Sequence, residues 1–166
     1  MSVASPGFLP YAKPTLHPDD VRAVLEVLSG DFWTTGPFVR KFEESIASAC
    51  GSTHAVAVAN GTAALHLALA AAGIGPGSLV IVPDITFVAT AHAVKYVCGD
   101  VLICDVDPAT GLMTPDSLAA AVARADRRVA CVMPVHLAGQ TVDIGALAKV
   151  LASDRRTEST IIVEAV

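Results

Sequence analysis

Asn60-Gly61-Thr62 is the stretch of this 166-residue chain best suited to chemistry. Val56-Ala57-Val58-Ala59 precedes it, and Ala63-Ala64-Leu65-His66-Leu67-Ala68-Leu69 follows. The β-branched valines predict a short buried strand over 56–58. Gly61 permits a sharp turn and a close ligand approach. Asn60 or Thr62 is placed to cap a helix over 62–72. A helix that starts just past a strand's carboxyl end presents unpaired N–H groups and the positive end of its dipole, which suits a phosphate. The same residues would equally make an ordinary strand–turn–helix, and spacing alone leaves both readings open. The helix carries no charged residue, which predicts burial on most of its sides.

Other side chains could add to such a site. Asp31-Phe32-Trp33-Thr34-Thr35-Gly36-Pro37 combines the only tryptophan with two hydroxyls, the make-up of a ligand wall or of a plug between helices. His136 opens a loop, His136-Leu137-Ala138-Gly139-Gln140, after an apolar run. Asp105 and Asp107 have spacing for a metal, but Asp-x-Asp-Pro is also a turn and no further cluster supports a metal site. The four cysteines stand singly in apolar surroundings with no CxxC pair, so the expectation is buried free thiols rather than zinc or redox chemistry.

Composition narrows the class. Hydrophobic residues make up 53% and charged residues 16%, as in a heavily buried α/β domain and not a disordered chain. The net charge of −5 and the absence of a basic patch argue against nucleic acid as a partner. The charge-free run from Ser45 to Pro83 is broken by Gly51, Asn60, Gly61 and Gly75-Pro76-Gly77, so it does not make a membrane span of about 20 residues. No secretory leader is visible, which makes the cytoplasm the default location.

The positioning elements alternate between helix and strand. Pro18 with Asp19 and Asp20 opens a helix whose Val21, Val24, Leu25 and Leu28 share one face. Pro37 opens another, with Val39, Phe42 and Ile46 inward, and Gly51 ends it. Strands are expected at 79–82, 101–104, 129–133 and 161–163, and helices at 87–97 (Thr86 as cap), 115–123 and 144–152 (Asp143 as cap). Gly73-Ile74-Gly75-Pro76-Gly77 follows a helix, the wrong order for a dinucleotide fingerprint. Short apolar strands between helices predict an α/β three-layer sandwich with a mostly parallel sheet. Ligands of such sheets gather at the carboxyl ends of the strands, where Asn60, Thr62, Phe87 and His136 would line one crevice.

Four ordered blocks then point to a family. Ala59-Asn60-Gly61-Thr62-Ala63-Ala64-Leu65, Pro83-Asp84-Ile85-Thr86-Phe87-Val88-Ala89-Thr90-Ala91, Asp105-Val106-Asp107-Pro108 and Pro134-Val135-His136-Leu137-Ala138-Gly139-Gln140 together resemble the DegT/DnrJ/EryC1/StrS aminotransferases. The resemblance implies a pyridoxal 5'-phosphate (PLP) enzyme of fold type I. It implies a homodimer that transfers an amino group from glutamate to a nucleotide-linked keto-sugar. Leu9-Pro10-Tyr11 and Trp33-Thr34-Thr35-Gly36-Pro37 look most like the branch that makes 4-amino-4,6-dideoxy sugars of the pseudaminic acid type. By the same resemblance Gly61 and Thr62 hold the cofactor phosphate at a helix N-terminus, Phe87 stacks on its ring, and Asn60 belongs to the cofactor-binding set. His136 belongs to the same set with no assigned role. Tyr11, Asp31, Phe32, Trp33 and Thr34 would contact the sugar nucleotide.

The chain also departs from the pattern. The family lysine that binds the cofactor aldehyde covalently has no counterpart in context among Lys13, Lys41, Lys95 and Lys149. The aspartate of the family's Glu-Asp-Ala pattern is missing after Glu164, where Ala165 stands. The expectation is therefore an N-terminal arm, helix and substrate loop over 1–36 and a partial PLP-binding large domain over 37–166. As a fragment, truncation or frameshift product it would be inactive alone, and poorly soluble or dimeric. Alternatives are a non-catalytic remnant that binds at most a phosphate group or a partner subunit, and an unrelated phosphate-binding α/β domain.

Overall fold

The computed structural model describes residues 13–154 and 157–165, and Tyr11 lies outside them. The chain forms two compact units, Met1–Ala57 and Val58–Val166.

The first unit holds α1 (Pro18–Leu28) and α2 (Pro37–Cys50). Pro18 sits in the first turn of α1, where Asp20 accepts the His17 N–H at 2.8 Å. Gly51 ends α2 at φ 64°, and the Gly51 and Ser52 N–H groups close on the Ser48 and Ala47 carbonyls. Both helices stand as expected, but neither buries a residue, so Val39, Phe42 and Ile46 do not point into a core of this unit. Periodicity sets an apolar face; burial needs a partner, and two short helices offer little area to cover each other.

The predicted strand at 56–58 does not form. Val56 is 76% exposed, and the Ala57 N–H donates to Glu43 Oε1 at 2.9 Å instead of to a neighbouring strand. Valine content favours extended backbone, but a strand also needs a ladder.

The second unit is built on four parallel strands: β1 (Leu79–Pro83), β2 (Asp100–Cys104), β3 (Val129–Val132) and β5 (Thr157–Ile161), in the order β2-β1-β3-β5. A second small sheet pairs β4 (Val135–His136) with β6 (Glu164–Ala165), also parallel. Strand order reverses between β1 and β3, which makes the gap at their carboxyl ends the topological switch point.

Side chains of β1 alternate between two cores. Leu79 and Ile81 join Leu118, Leu147 and Leu151 from α5 (Pro115–Arg124) and α6 (Ile144–Ser153). Val80 and Val82 join Leu65, Leu69, Ala93 and Val94 from α3 (Gly61–Ala71) and α4 (Ala89–Tyr96). The expected three layers are thus present. In β3 the register slips between Val129 and Cys131, a bulge that lets Val129 and Val132 share one core while Cys131 serves the other.

Four expectations need correction. Helix α3 buries Leu65 and Leu69, while Leu67 is 52% exposed; a charge-free sequence allowed burial all round, but only one side meets the sheet. Helix α4 begins at Ala89, and Thr86 bonds the Thr90 hydroxyl rather than capping an N–H. The last strand of the main sheet lies at Thr157–Ile161, not 161–163; it is an edge strand, where polar β-branched residues suffice. Cys104 and Cys131 are buried, but Cys50 and Cys98 are exposed, because their helices end in water there. Burial pushes the Cys104 thiol up, and the Cys131 thiol up to about 12.

Among the described residues no helix is long and apolar enough to cross a membrane, and no three His, Cys, Asp or Glu side chains group to hold a metal.

Two outcomes are expected. Iodoacetamide at mild alkaline pH labels Cys50 and Cys98 and spares Cys104 and Cys131 until the chain is unfolded, as peptide mass mapping would show. Ile81→Ala, at a fully buried position between layers, lowers stability by about 2–5 kcal/mol in urea unfolding.

Candidate active site

Of the site residues foreseen in the sequence, Asn60, Gly61, Thr62, Phe87 and His136 fall at the carboxyl rim of the main sheet. The turn at 73–78 and the turn at 97–100 meet at the opposite rim, where Asp100 N–H bonds the Ser78 carbonyl at 2.8 Å. Helices α3 and α4 both end there, so both begin at the carboxyl rim.

Asn60 caps α3. Its backbone is extended (φ −166°, ψ 170°), its Oδ1 accepts the Ala63 N–H at 2.9 Å, and its carbonyl accepts the Ala64 N–H at 3.1 Å. That leaves the Gly61 and Thr62 N–H groups without an acceptor among the described residues. A side chain added at Gly61 would meet nothing within 4 Å, so the approach to these donors is open. The first turn of α3 holds no acidic residue and its cap is neutral. By contrast, Asp116 stands in the first turn of α5, and Asp143 caps α6 through the Ala146 N–H. Those carboxylates compensate their helix dipoles; the cap and first turn of α3 hold none.

Phe87 lies one residue ahead of the α4 cap, Val88, and is 58% exposed. His136 stands on β4, its Nδ1 accepting the Val142 N–H at 3.0 Å, which assigns the proton of a neutral ring to Nε2. The tight turn behind it, Leu137 to Gln140, is held by two backbone bonds with Ala138 and Gly139 at positive φ. Among the described residues no hydrogen bond joins Phe87, His136 and the Asn60–Thr62 turn. They share a rim, not a network.

Asp31, Phe32, Trp33 and Thr34 belong to the first unit. Trp33 is 71% exposed, and its indole N–H donates to the Leu28 carbonyl at 3.2 Å, closing the loop onto the end of α1. The Asp107 carboxylate takes the Ala109 and Thr110 N–H groups and the Thr110 hydroxyl, so it ties its own turn. The Thr110 bonds hold its pKa below the usual carboxylate range.

The sequence reading singled out neither Thr90 nor the contact it makes. Thr90 is fully buried at the start of α4. Its Oγ1 lies 2.6 Å from Thr86 Oγ1 and 2.9 Å from the Phe87 carbonyl, and it bonds Glu164 Oε2 on β6. The i,i+4 spacing of Thr86 and Thr90 was the available signal; the 74-residue reach to Glu164 had none. Burial pushes the Glu164 carboxyl up, and the Thr90 hydroxyl partly opposes that.

Two measurements check these features. Asn60→Ala removes a cap and costs about 1 kcal/mol in urea unfolding. Glu164 binds its proton more tightly when folded than when unfolded. Its contribution to stability is therefore fully present below the ordinary glutamate value of 4.5 and is lost as pH rises through the raised value. The stability of the unaltered chain relative to Glu164→Gln should fall across that window and be flat above it. A difference that rises with pH would contradict the assigned shift.

The DegT/DnrJ/EryC1/StrS aminotransferase family profile matches residues 14–156. A 3-amino-5-hydroxybenzoic acid synthase is 38% identical, with TM-score 0.78, over 85% of this chain and 36% of its own. An aminotransferase from Psychrobacter cryohalolentis is 32% identical, with TM-score 0.81, over 93% of this chain and 38% of its own. A Streptococcus pneumoniae protein assigned as a sugar aminotransferase, in its PLP-form, is 28% identical, with TM-score 0.83, over 92% of this chain and 38% of its own. The chain thus spans little more than a third of the length of these proteins. The shared architecture is that of fold-type I aminotransferases, and PLP is the cofactor of the family. A profile that matches most of the residues, joined to solved relatives sharing the same layers, establishes that this chain belongs to the DegT/DnrJ/EryC1/StrS aminotransferase family.

Proposed function

We propose that this chain supplies the phosphate-binding and ring-facing part of a PLP-dependent sugar aminotransferase. The reaction is transfer of an amino group, with glutamate as donor, to a nucleotide-linked keto-sugar, within a homodimer. The pseudaminic acid type of 4-amino-4,6-dideoxy sugar is the substrate branch we favour, on Tyr11 and the Trp33–Pro37 loop.

One observation carries the reading: two unpaired amides, Gly61 and Thr62, under a neutral cap with open space beside them. Those donors, the Thr62 hydroxyl and an uncompensated dipole suit a dianion. When bound, PLP supplies an electron sink for the amino-group transfer. In this scheme Asn60 keeps the first turn of α3 in register, Gly61 and Thr62 bind the phosphate, and Phe87 offers an exposed aromatic face. His136 holds an Nε2–H at the same rim. Asp31, Phe32, Trp33 and Thr34 are the proposed sugar-nucleotide contacts.

The donor set fits the phosphate but not a covalent link to the aldehyde. Lys95 Nζ is held by the Gly99 carbonyl and Asp100 at the other rim, and Lys149 is exposed on α6. Lys41 stands over the Phe38 ring in the first unit. Nor does a carboxylate occupy position 165 to pair with a pyridine nitrogen. These residues alone therefore bind the phosphate group without turning over.

Equilibrium dialysis tests this. The chain should retain PLP and not pyridoxal, and Thr62→Val should weaken PLP roughly tenfold, the loss of one charge-assisted bond. Borohydride should fix no cofactor to a single lysine. Equal retention of pyridoxal, or no retention of either, would overturn the reading.

A further inference from the structure

Thr90 has one hydroxyl proton and three oxygen neighbours. The Phe87 carbonyl already accepts the Thr90 backbone N–H at 3.1 Å. An ionised Glu164 carboxylate can only accept. The hydroxyl proton of Thr90 therefore belongs to Glu164, and the Thr86 hydroxyl donates to Thr90. The result is a directed chain, Thr86 to Thr90 to Glu164, that ends on a charge.

Both ends of the chain are anchored. Glu164 N–H donates to the Pro134 carbonyl at 3.1 Å, and Glu164 pairs with Val135 across β4 and β6. Thr86 belongs to the loop between β1 and α4, whose Asp84 N–H bonds the Cys104 carbonyl at 3.0 Å. Three segments thus meet at the switch point: the β1–α4 loop, the β3–β4 junction and β6. Phe87 sits inside this clasp, with a hydroxyl on each side of it in sequence, while its ring stays exposed.

We infer that Glu164 is a positioning residue, acting through Thr90 and Thr86 to hold the Phe87 ring at the carboxyl rim of the sheet. The role rests on the proposed reading in which Phe87 faces the cofactor. Glu164 itself touches neither cofactor nor substrate in this account; it removes freedom from the loop that does.

Four variants separate the cases: Thr90→Val and Glu164→Met, which break the chain, and Thr90→Ser and Glu164→Gln, which keep a hydroxyl and an acceptor. The readouts are amide hydrogen exchange over residues 85–90 without ligand, and the dissociation constant of PLP by dialysis. Thr90→Val and Glu164→Met should speed exchange over 85–90 about tenfold while β1 and β3 stay protected, and weaken PLP about fivefold. Thr90→Ser and Glu164→Gln should restore both. Unchanged exchange in Thr90→Val overturns the inference. So does faster exchange with unaltered PLP affinity, or failure of the two conservative variants to rescue. If the unaltered chain retains no PLP, the cofactor reading falls and takes the positioning role with it. Loss of the exchange effect alone removes only the role of Glu164.

Discussion

Every side chain of β1, Leu79 to Pro83, is out of water. A parallel strand buried on both faces cannot stand alone, because its backbone groups need neighbours on two edges and its side chains need cover above and below. β2 and β3 supply the edges. α3 and α4 cover one face, and α5 and α6 the other. The order of these elements along the chain then forces the strand order to reverse beside β1, and that reversal opens the rim where ligands of such sheets collect. The site is thus a consequence of how the most buried strand is satisfied.

That logic explains what was legible in the sequence. The runs at 79–82 and 129–133 are apolar because they are central; 101–104 is apolar although β2 lies at an edge, and the pattern alone locates all three. Thr157–Ile161 is an edge strand whose only strongly apolar residue is Ile161, so no apolar run marks it in the sequence. Val56–Val58 has strand composition, but a glutamate side chain takes its Ala57 amide. Caps were readable where a short polar side chain precedes a helix, as at Asn60 and Asp143, because the interaction spans three residues. At Thr86 the hydroxyl has a better partner in Thr90 than in a helix N–H. The bond from Thr90 to Glu164 crosses the fold and exists only once β6 has paired with β4. No local pattern encodes it.

Electrostatics discriminates among the helix starts of the second unit. All helices have a positive end, so dipole alone singles out none of them. α5 and α6 begin among carboxylates, Asp116 and Asp143, which already satisfy amides or charge. α4 begins at Val88 with no side-chain cap, and the Thr90 amide there bonds the Phe87 carbonyl. α3 combines a neutral cap, first amides without an acceptor among the described residues, and open space at Gly61. Evolution could have placed aspartate at position 60, which caps as well as asparagine. A second negative charge there would repel a phosphate dianion across a few ångströms. Asparagine gives the cap without the repulsion.

A phosphate grip and an aromatic face orient a cofactor but do not make an aminotransferase. The chemistry also needs an amine to hold the aldehyde and a carboxylate to keep the ring protonated. Among the described residues of this unit, Lys95 is bound at the opposite rim, Lys149 is exposed on α6, and position 165 is alanine. The binding half depends on a helix start and a loop, both fixed by packing against β1. The catalytic half depends on residues whose position no element of this sheet determines. The geometry of the rim follows from burial, whereas amino-group transfer depends on two particular side chains that burial does not place.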